Sequence, residues 1–137
     1  MKQLLTLFFF LLLAQSGITQ NRIDTLRYDG GDVYIGQVEN GMPNGSGKMV
    51  WAYGASYEGE WKNAYQHGKG TMVWPSGDTY KGEWIYGVQN GKGVMDWSNG
   101  DHYEGTFKDG LLDGKGTLKF ANGVVKKGKW KENNLVQ

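Results

Sequence analysis

Apolar and polar residues alternate through most of this chain, in pairs of stretches joined by turn residues. In residues 57–61 a tyrosine, a glycine and a tryptophan alternate with Glu58 and Glu60, and residues 68–74 alternate in the same way. A period of two predicts β-strands with one packed and one solvated face. Turn dipeptides such as Asn40-Gly41 lie between the two halves, so each pair is predicted to form a β-hairpin.

The hairpin pattern recurs with a fixed period of 23 residues. Each unit opens on a tyrosine, with a glycine two residues later, a large residue two further on, and a Gly-x-Gly pair in the second half. All 23 glycines except Gly17 and Gly30 occupy repeat positions. Self-similarity at one period predicts a stacked array. The openers and their glycines are Tyr34 and Gly36, Tyr57 and Gly59, Tyr80 and Gly82, and Tyr103 and Gly105.

The glycines predict how such an array is packed. Glycine weakens a strand interior unless another group must lie close to the backbone there. Every unit supplies both glycine gaps and large rings, so we expect tyrosines and tryptophans to cover the glycines of neighbouring strands. A single-layer sheet would thereby gain a dense aromatic face without a second layer.

The pattern Tyr-x-Gly-x-Trp, then Gly, then Gly-x-Gly, at this period, resembles the MORN repeat (membrane occupation and recognition nexus). The resemblance covers Tyr28 to Trp130 and departs from the pattern at Val38, Ala64 and Lys126. Terminal units of an array are often atypical because they cap it. The expected fold is all-β, a single-layer, twisted antiparallel β-sheet solenoid built of 23-residue β-hairpin repeats.

The repeat positions predict the organisation of the whole chain. A signal peptide is expected first, then a lead-in, then the MORN array and a short tail. The predicted bounds are 1–16 for the signal peptide, 17–27 for the lead-in, 28–130 for the array and 131–137 for the tail. Within the array they are 28–33 for a partial unit, 34–56, 57–79, 80–102 and 103–125 for full units, and 126–130 for a truncated unit.

The first residues share nothing with the repeats. Lys2 precedes an unbroken apolar run over 7–14, and the small residues Ala14 and Ser16 fit cleavage after Ser16. A membrane-spanning helix needs roughly 20 apolar residues, about twice the length of this run. The chain has no cysteine, which removes a lipidated cysteine anchor and any disulfide. We therefore expect export to the periplasm, the cell envelope or the outside of the cell.

The charge balance argues against polyanionic partners. Lys2 is one of 15 basic residues, so its removal leaves 14 against 14 acidic ones. Nucleic-acid-binding domains normally carry a basic excess, and no nucleic-acid partner is expected. The neutral chain is also expected to be monomeric.

The sequence offers little for catalysis. His67 and His102 take positions that other units fill with turn or pre-strand residues, so both are interpreted as tolerated variants. The Gly-Lys-Gly stretch at 68–70 lacks the Gly-Lys-Ser/Thr ending of a phosphate-binding loop. We expect no enzyme activity, no cofactor and no metal site.

The last repeat strand carries a basic cluster formed by Lys126, Lys127, Lys129 and Lys131. One interpretation is contact with anionic lipid headgroups. The other, which we favour, is protection of a terminal strand against pairing with another chain.

The leading functional hypothesis is an exported, non-enzymatic scaffold whose elongated surface binds an unidentified protein partner. The alternative is a peripheral binder of anionic phospholipid or glycan, which would make contact with a membrane surface. Burial of most of the indole area would remove the main support for ligand stacking. The candidate interaction surface comprises Lys126, Lys127, Lys129, Lys131, Tyr57, Tyr80, Tyr103, Trp61 and Trp84.

Overall fold

The computed structural model describes residues 22–136, which form one antiparallel sheet of eleven strands arranged in sequence order. The predicted all-β, single-layer fold of β-hairpin repeats is confirmed. Within these residues, no helix is long and apolar enough to cross a membrane. The strands are β1 (Arg22–Arg27), β2 (Val33–Glu39), β3 (Met42–Val50), β4 (Ser56–Lys62), β5 (Tyr65–Val73), β6 (Thr79–Ile85), β7 (Val88–Asp96), β8 (His102–Lys108), β9 (Leu111–Lys119), β10 (Val125–Lys131) and β11 (Asn134–Leu135).

The sheet extends into both flanking segments. β1 lies in the stretch expected as a lead-in and pairs along its whole length with β2. β11 lies in the expected tail and pairs with β10 only at Trp130 and Lys131. The expected signal peptide over 1–16 lies outside the described residues.

Each hairpin closes with a two-residue turn whose residues both have positive φ, the geometry of a type I′ turn. Asn40 and Gly41 have φ values of 50° and 75°. Asn63 and Ala64 adopt 49° and 67° without a glycine. Ala64 therefore keeps the turn of its repeat, although left-handed backbone is unfavourable for alanine.

The two glycines of each Gly-x-Gly pair have different roles. In the third full unit the register shifts between Gly82 and Trp84, which marks a β-bulge. Gly91, at the bulge, has a φ of 106°, and a β-carbon there would meet the side chain of Glu83. Gly93 lies directly opposite Gly82. Strict alternation along the strand predicts both glycines on the packed face, but only the second lies there, because the bulge interrupts the alternation.

Directly opposed glycines form one continuous row across the sheet. The row runs from β2 to β10, and each inner member faces a glycine on the strand before it and another on the strand after it. We call this the glycine row. Its members are Gly36, Gly47, Gly59, Gly70, Gly82, Gly93, Gly105, Gly116 and Gly128.

The loops that link successive units are joined to one another. The Asp78 carboxylate accepts a hydrogen bond of 2.7 Å from the backbone N–H of Ser98, 20 residues later. Where Ala55 replaces this aspartate, the residue 20 positions later is Pro75, which has no N–H to donate. The aspartate carboxylate is therefore absent from a repeat in which no backbone N–H could donate a hydrogen bond to it.

Candidate interaction surfaces

The four repeat tyrosines define one face of the sheet, which we call the aromatic face; the opposite side is the polar face. The Tyr80 ring lies over Gly82 on its own strand and over Gly93 on the next, where an added β-carbon would come within 2.6 Å of ring atom Cζ. Its hydroxyl donates a hydrogen bond of 3.0 Å to the carbonyl of Glu83. We expected a ring from a neighbouring strand over Gly82, but the covering ring comes from its own strand. Fully buried in this way are Tyr34, Tyr57, Tyr80 and Tyr103.

Burial disfavours the charged phenolate of these tyrosines. It raises the pKa of Tyr80 to about 12, and the Glu83 carboxylate adds to the effect. Burial likewise raises the pKa of Tyr34 to about 12. The rings are therefore neutral at ordinary pH and act as packing groups.

Large rings four residues after the opening position of a unit pack against these tyrosines; we call Trp61, Trp84, Phe107 and Trp130 the covered row. Trp84 stands edge-on between Tyr57 and Tyr80, with ring centroids 5.3 and 5.1 Å apart and interplanar angles of 88°. Its indole N–H donates a hydrogen bond of 3.2 Å to the carbonyl of Gly70. Alternating tyrosine and covered-row rings thus form one continuous stack.

This stack corrects the predicted interaction surface. Tyr57, Tyr80 and Tyr103 are fully buried, and Trp61 and Trp84 are only 4% and 5% exposed. The glycine gaps draw these rings against the backbone, so none presents a free face to a ligand.

A second aromatic row is more accessible; we call Trp51, Trp74, Trp97 and Phe120 the open row. Its members are half-buried, and Trp51, Trp74 and Trp97 pack against the buried core. Each follows the last residue of a strand, as Trp74 follows Val73 at the end of β5. Alternation along the strands places both rows on the same face and does not distinguish them. The feature that distinguishes the open row is its position directly after the end of a strand, next to a linking loop.

Two members of the open row line a groove of about 530 Å³ on the aromatic face. Trp74 and Trp97 line it together with Met95 and Leu118, and Phe107 and Leu112 of the buried core also contribute. Polar residues also reach the groove. They are Gln89, Asn99, Asp101 and Asn133.

The four predicted C-terminal lysines do not form one patch. The Lys126 ammonium lies 5.4 Å from the centre of the Phe120 ring. Lys131 pairs with Asp113 at 3.1 Å, and this hydrogen bond lowers the pKa of the Asp113 carboxyl. Lys127 and Lys129 line a groove on the polar face. Edge protection by the lysines stays a prediction.

That polar-face groove has a volume of about 980 Å³ and crosses β7–β10. Four glycines of the glycine row contribute to it, and lysines stand on both sides. Hydroxyl groups and a single carboxylate complete the polar lining. The side chains concerned are Lys92, Lys115, Lys127, Lys129, Thr106, Thr117 and Glu104.

Both histidines have local partners. His102 Nδ1 lies 2.6 Å from Asp96 Oδ1 on the paired strand, and His67 Nδ1 accepts a hydrogen bond of 3.4 Å from the backbone N–H of Tyr86. Over residues 22–136 no three His, Cys, Asp or Glu side chains come close enough together to hold a metal ion.

The family model for the MORN repeat matches residues 34–55, 57–79, 80–102 and 103–125. The chain belongs to the MORN-repeat family. No curated protein matches it. MORN repeats are general modules for protein or membrane interaction, and proteins built from them are typically non-enzymatic.

Proposed function

We propose that this MORN array is an exported, non-enzymatic scaffold that binds a protein partner through its open row. The observation that carries the proposal is the partial exposure of Trp51, Trp74, Trp97 and Phe120 beside a buried stack of similar rings. The stack already fills the glycine gaps, so the exposed area of the open row is not needed to cover the glycines.

The geometry of the open row suits recognition of a protein. Equivalent rings lie two strands apart, or about 9.6 Å at the usual spacing between strands. They are held against a rigid sheet, so little side-chain entropy is lost when a partner packs on them. Aromatic residues are enriched in protein interfaces and supply many of their binding hot spots. The polar groups in the groove add hydrogen-bonding capacity.

Export is proposed from the N-terminal sequence alone, from Lys2, the apolar run over 7–14 and the small residues Ala14 and Ser16. N-terminal sequencing of the protein recovered from fractionated cells tests it. A mature chain that begins near residue 17 supports export, and an intact N-terminus in the cytosolic fraction contradicts it.

Crosslinked affinity capture from the native envelope fraction tests the partner surface. We expect Trp74→Ala and Trp97→Ala together to abolish capture of a reproducible protein. The matched control replaces Tyr65 and Tyr86, rings that are 54% and 48% exposed and lie outside the open row. Capture unaffected by the tryptophan variant, or lost equally in the control, would count against the open row.

A peripheral glycan or anionic-phospholipid binder is the second candidate. Most of the indole area is buried, which removes the main support for ligand stacking. What still favours this candidate is the exposed part of the open-row indoles, because tryptophan combines an apolar ring with a polar N–H and suits membrane interfaces. Co-sedimentation with insoluble polysaccharide and with phosphatidylserine vesicles distinguishes it. Binding to either that Trp74→Ala and Trp97→Ala remove, without any captured protein, would favour this candidate.

A further inference from the structure

The charge pairing on the polar face changes along the array. Beside the glycine row, Lys69 lies directly opposite Glu83, a favourable pair of opposite charges. At the equivalent place one repeat further along the chain, Lys92 lies opposite Thr106, and two repeats further along Lys115 lies directly opposite Lys129. Like charges directly opposite each other destabilise a sheet. The pairing of Lys115 with Lys129 therefore lowers the stability of the sheet at this end of the array.

Replacements at one repeat position, by Thr106 opposite Lys92 and by Lys129 opposite Lys115, remove the acid that would compensate the lysines. Glu60 and Glu83 occupy one repeat position, and each carboxylate accepts a hydrogen bond from a backbone N–H at the bulge, at 3.1 and 2.5 Å. The next unit has Thr106 there, and its hydroxyl donates to the carbonyl of Asp113 instead. The bulge keeps a side-chain contact, but the negative charge is lost.

The result is a basic groove. Lys92, Lys115, Lys127 and Lys129 are exposed and line it, with Glu104 as its only carboxylate. Within residues 22–136, none of the four has a carboxylate oxygen within 4.0 Å. Their charge is therefore available to an external anionic group.

The shape of the groove selects among anionic partners. The β-carbons absent from Gly93, Gly105 and Gly116 would point to the tyrosine rings of the aromatic face, so these residues present only backbone to the groove. At Gly114 an added β-carbon would meet the Thr106 side chain on the polar face, so this glycine leaves room for close approach of another backbone. The groove spans four strands, about 14 Å at the usual spacing, which accommodates about four residues of an extended chain. A flat membrane fits it less well, and Lys126 lies against Phe120 on the aromatic face.

We propose that the polar-face groove over β7–β10 binds an extended, acidic segment of a partner protein. Carboxylates of the segment lie between the lysines on the two sides, and Thr106 and Thr117 offer hydroxyl groups. The groove lies on the opposite face from the open row, so the array holds two protein segments at once. The proposals for the open row and for the polar-face groove can be refuted independently, because the variants that test them share no residue.

Fluorescence anisotropy of the full chain with a labelled oligoglutamate peptide of about eight residues, long enough to cross the groove, tests the proposal. We expect binding that weakens steeply with salt and is absent for oligoglutamine. Replacing Lys115 and Lys129 together by alanine should weaken binding about tenfold or more. The control, Lys69→Ala with Lys81→Ala, removes the same charge from earlier units and should stay within about twofold of the parent.

A stability measurement separates binding from a structural role. Lys129→Glu converts the like pair with Lys115 into an opposite pair, so its melting temperature should equal or exceed that of the parent while peptide binding is lost. A lowered melting temperature would show that the lysine supports the fold. Absence of parent binding at low salt, equal loss in the control, or displacement of the peptide by phosphatidylserine vesicles would each overturn the proposal.

Discussion

The covered row and the open row contain the same kinds of residue on the same face of one sheet, yet their environments differ. Trp84 is 5% exposed and stands between two tyrosine rings, whereas Trp97 is half-buried and lines a groove. The difference arises from position, because Trp84 lies within β6, whereas Trp97 follows the end of β7. Residue type therefore sets what a ring can do, and its place relative to the strand end sets whether it stabilises the sheet or faces a partner.

Alkaline pH is expected to have the largest effect on the covered stack. The Tyr80 pKa is about 12 in the folded state and 10.0 as the ordinary value, so the unfolded chain loses its proton first. The tyrosine contribution is full below pH 10 and falls as the pH rises towards 12. We expect cooperative unfolding in this window, followed by circular dichroism and tyrosinate absorbance. Ionisation of all eight tyrosines near pH 10 while the sheet stays intact would contradict the burial of the stack, because four of them are fully buried.

Trp84→Ala should give the largest loss among single substitutions. Truncating a buried tryptophan costs about 3–5 kcal/mol, and the hydrogen bond to Gly70 is lost with it. Urea unfolding of the variant and the parent measures the difference. A loss below about 1 kcal/mol would place Trp84 with the open row instead.

Gly93→Ala tests the cover over the glycine row. The new β-carbon would lie within 2.6 Å of the Tyr80 ring, and such overpacking typically costs about 1–3 kcal/mol despite the better strand propensity of alanine. Combining it with Tyr80→Ala removes the obstruction, so the two losses should not add. Additive losses would show that the ring does not account for the glycine.

Trp97→Ala should have the smallest effect on stability, about 1–2 kcal/mol, because only part of the ring is withdrawn from water. Urea unfolding beside Trp84→Ala gives the comparison directly. Equal losses for the two variants would remove the distinction between the rows and, with it, the argument that the open row has area to spare for a partner.

Much of this architecture could be predicted from the sequence because its signals are local and repeated. The period of 23 residues, the alternation within each half and the turn dipeptides predicted the hairpins and the MORN family, both confirmed. β1 and β11 were not predicted, since neither covers a recognisable repeat half. The candidate interaction surface was predicted less well than the fold. Its five aromatic residues are buried, and its four lysines do not form one patch.

By itself, the sequence determined the number of repeats, the strand alternation and the need for rings over glycines, because periodicity and glycine spacing constrain the backbone locally. Only the tertiary structure decided which rings remain open, how the bulge divides each Gly-x-Gly pair, and that Lys115 faces Lys129. These features depend on register between strands and on where a strand stops beside its neighbour. A pattern read along one strand does not contain that information, because burial and charge pairing arise between strands.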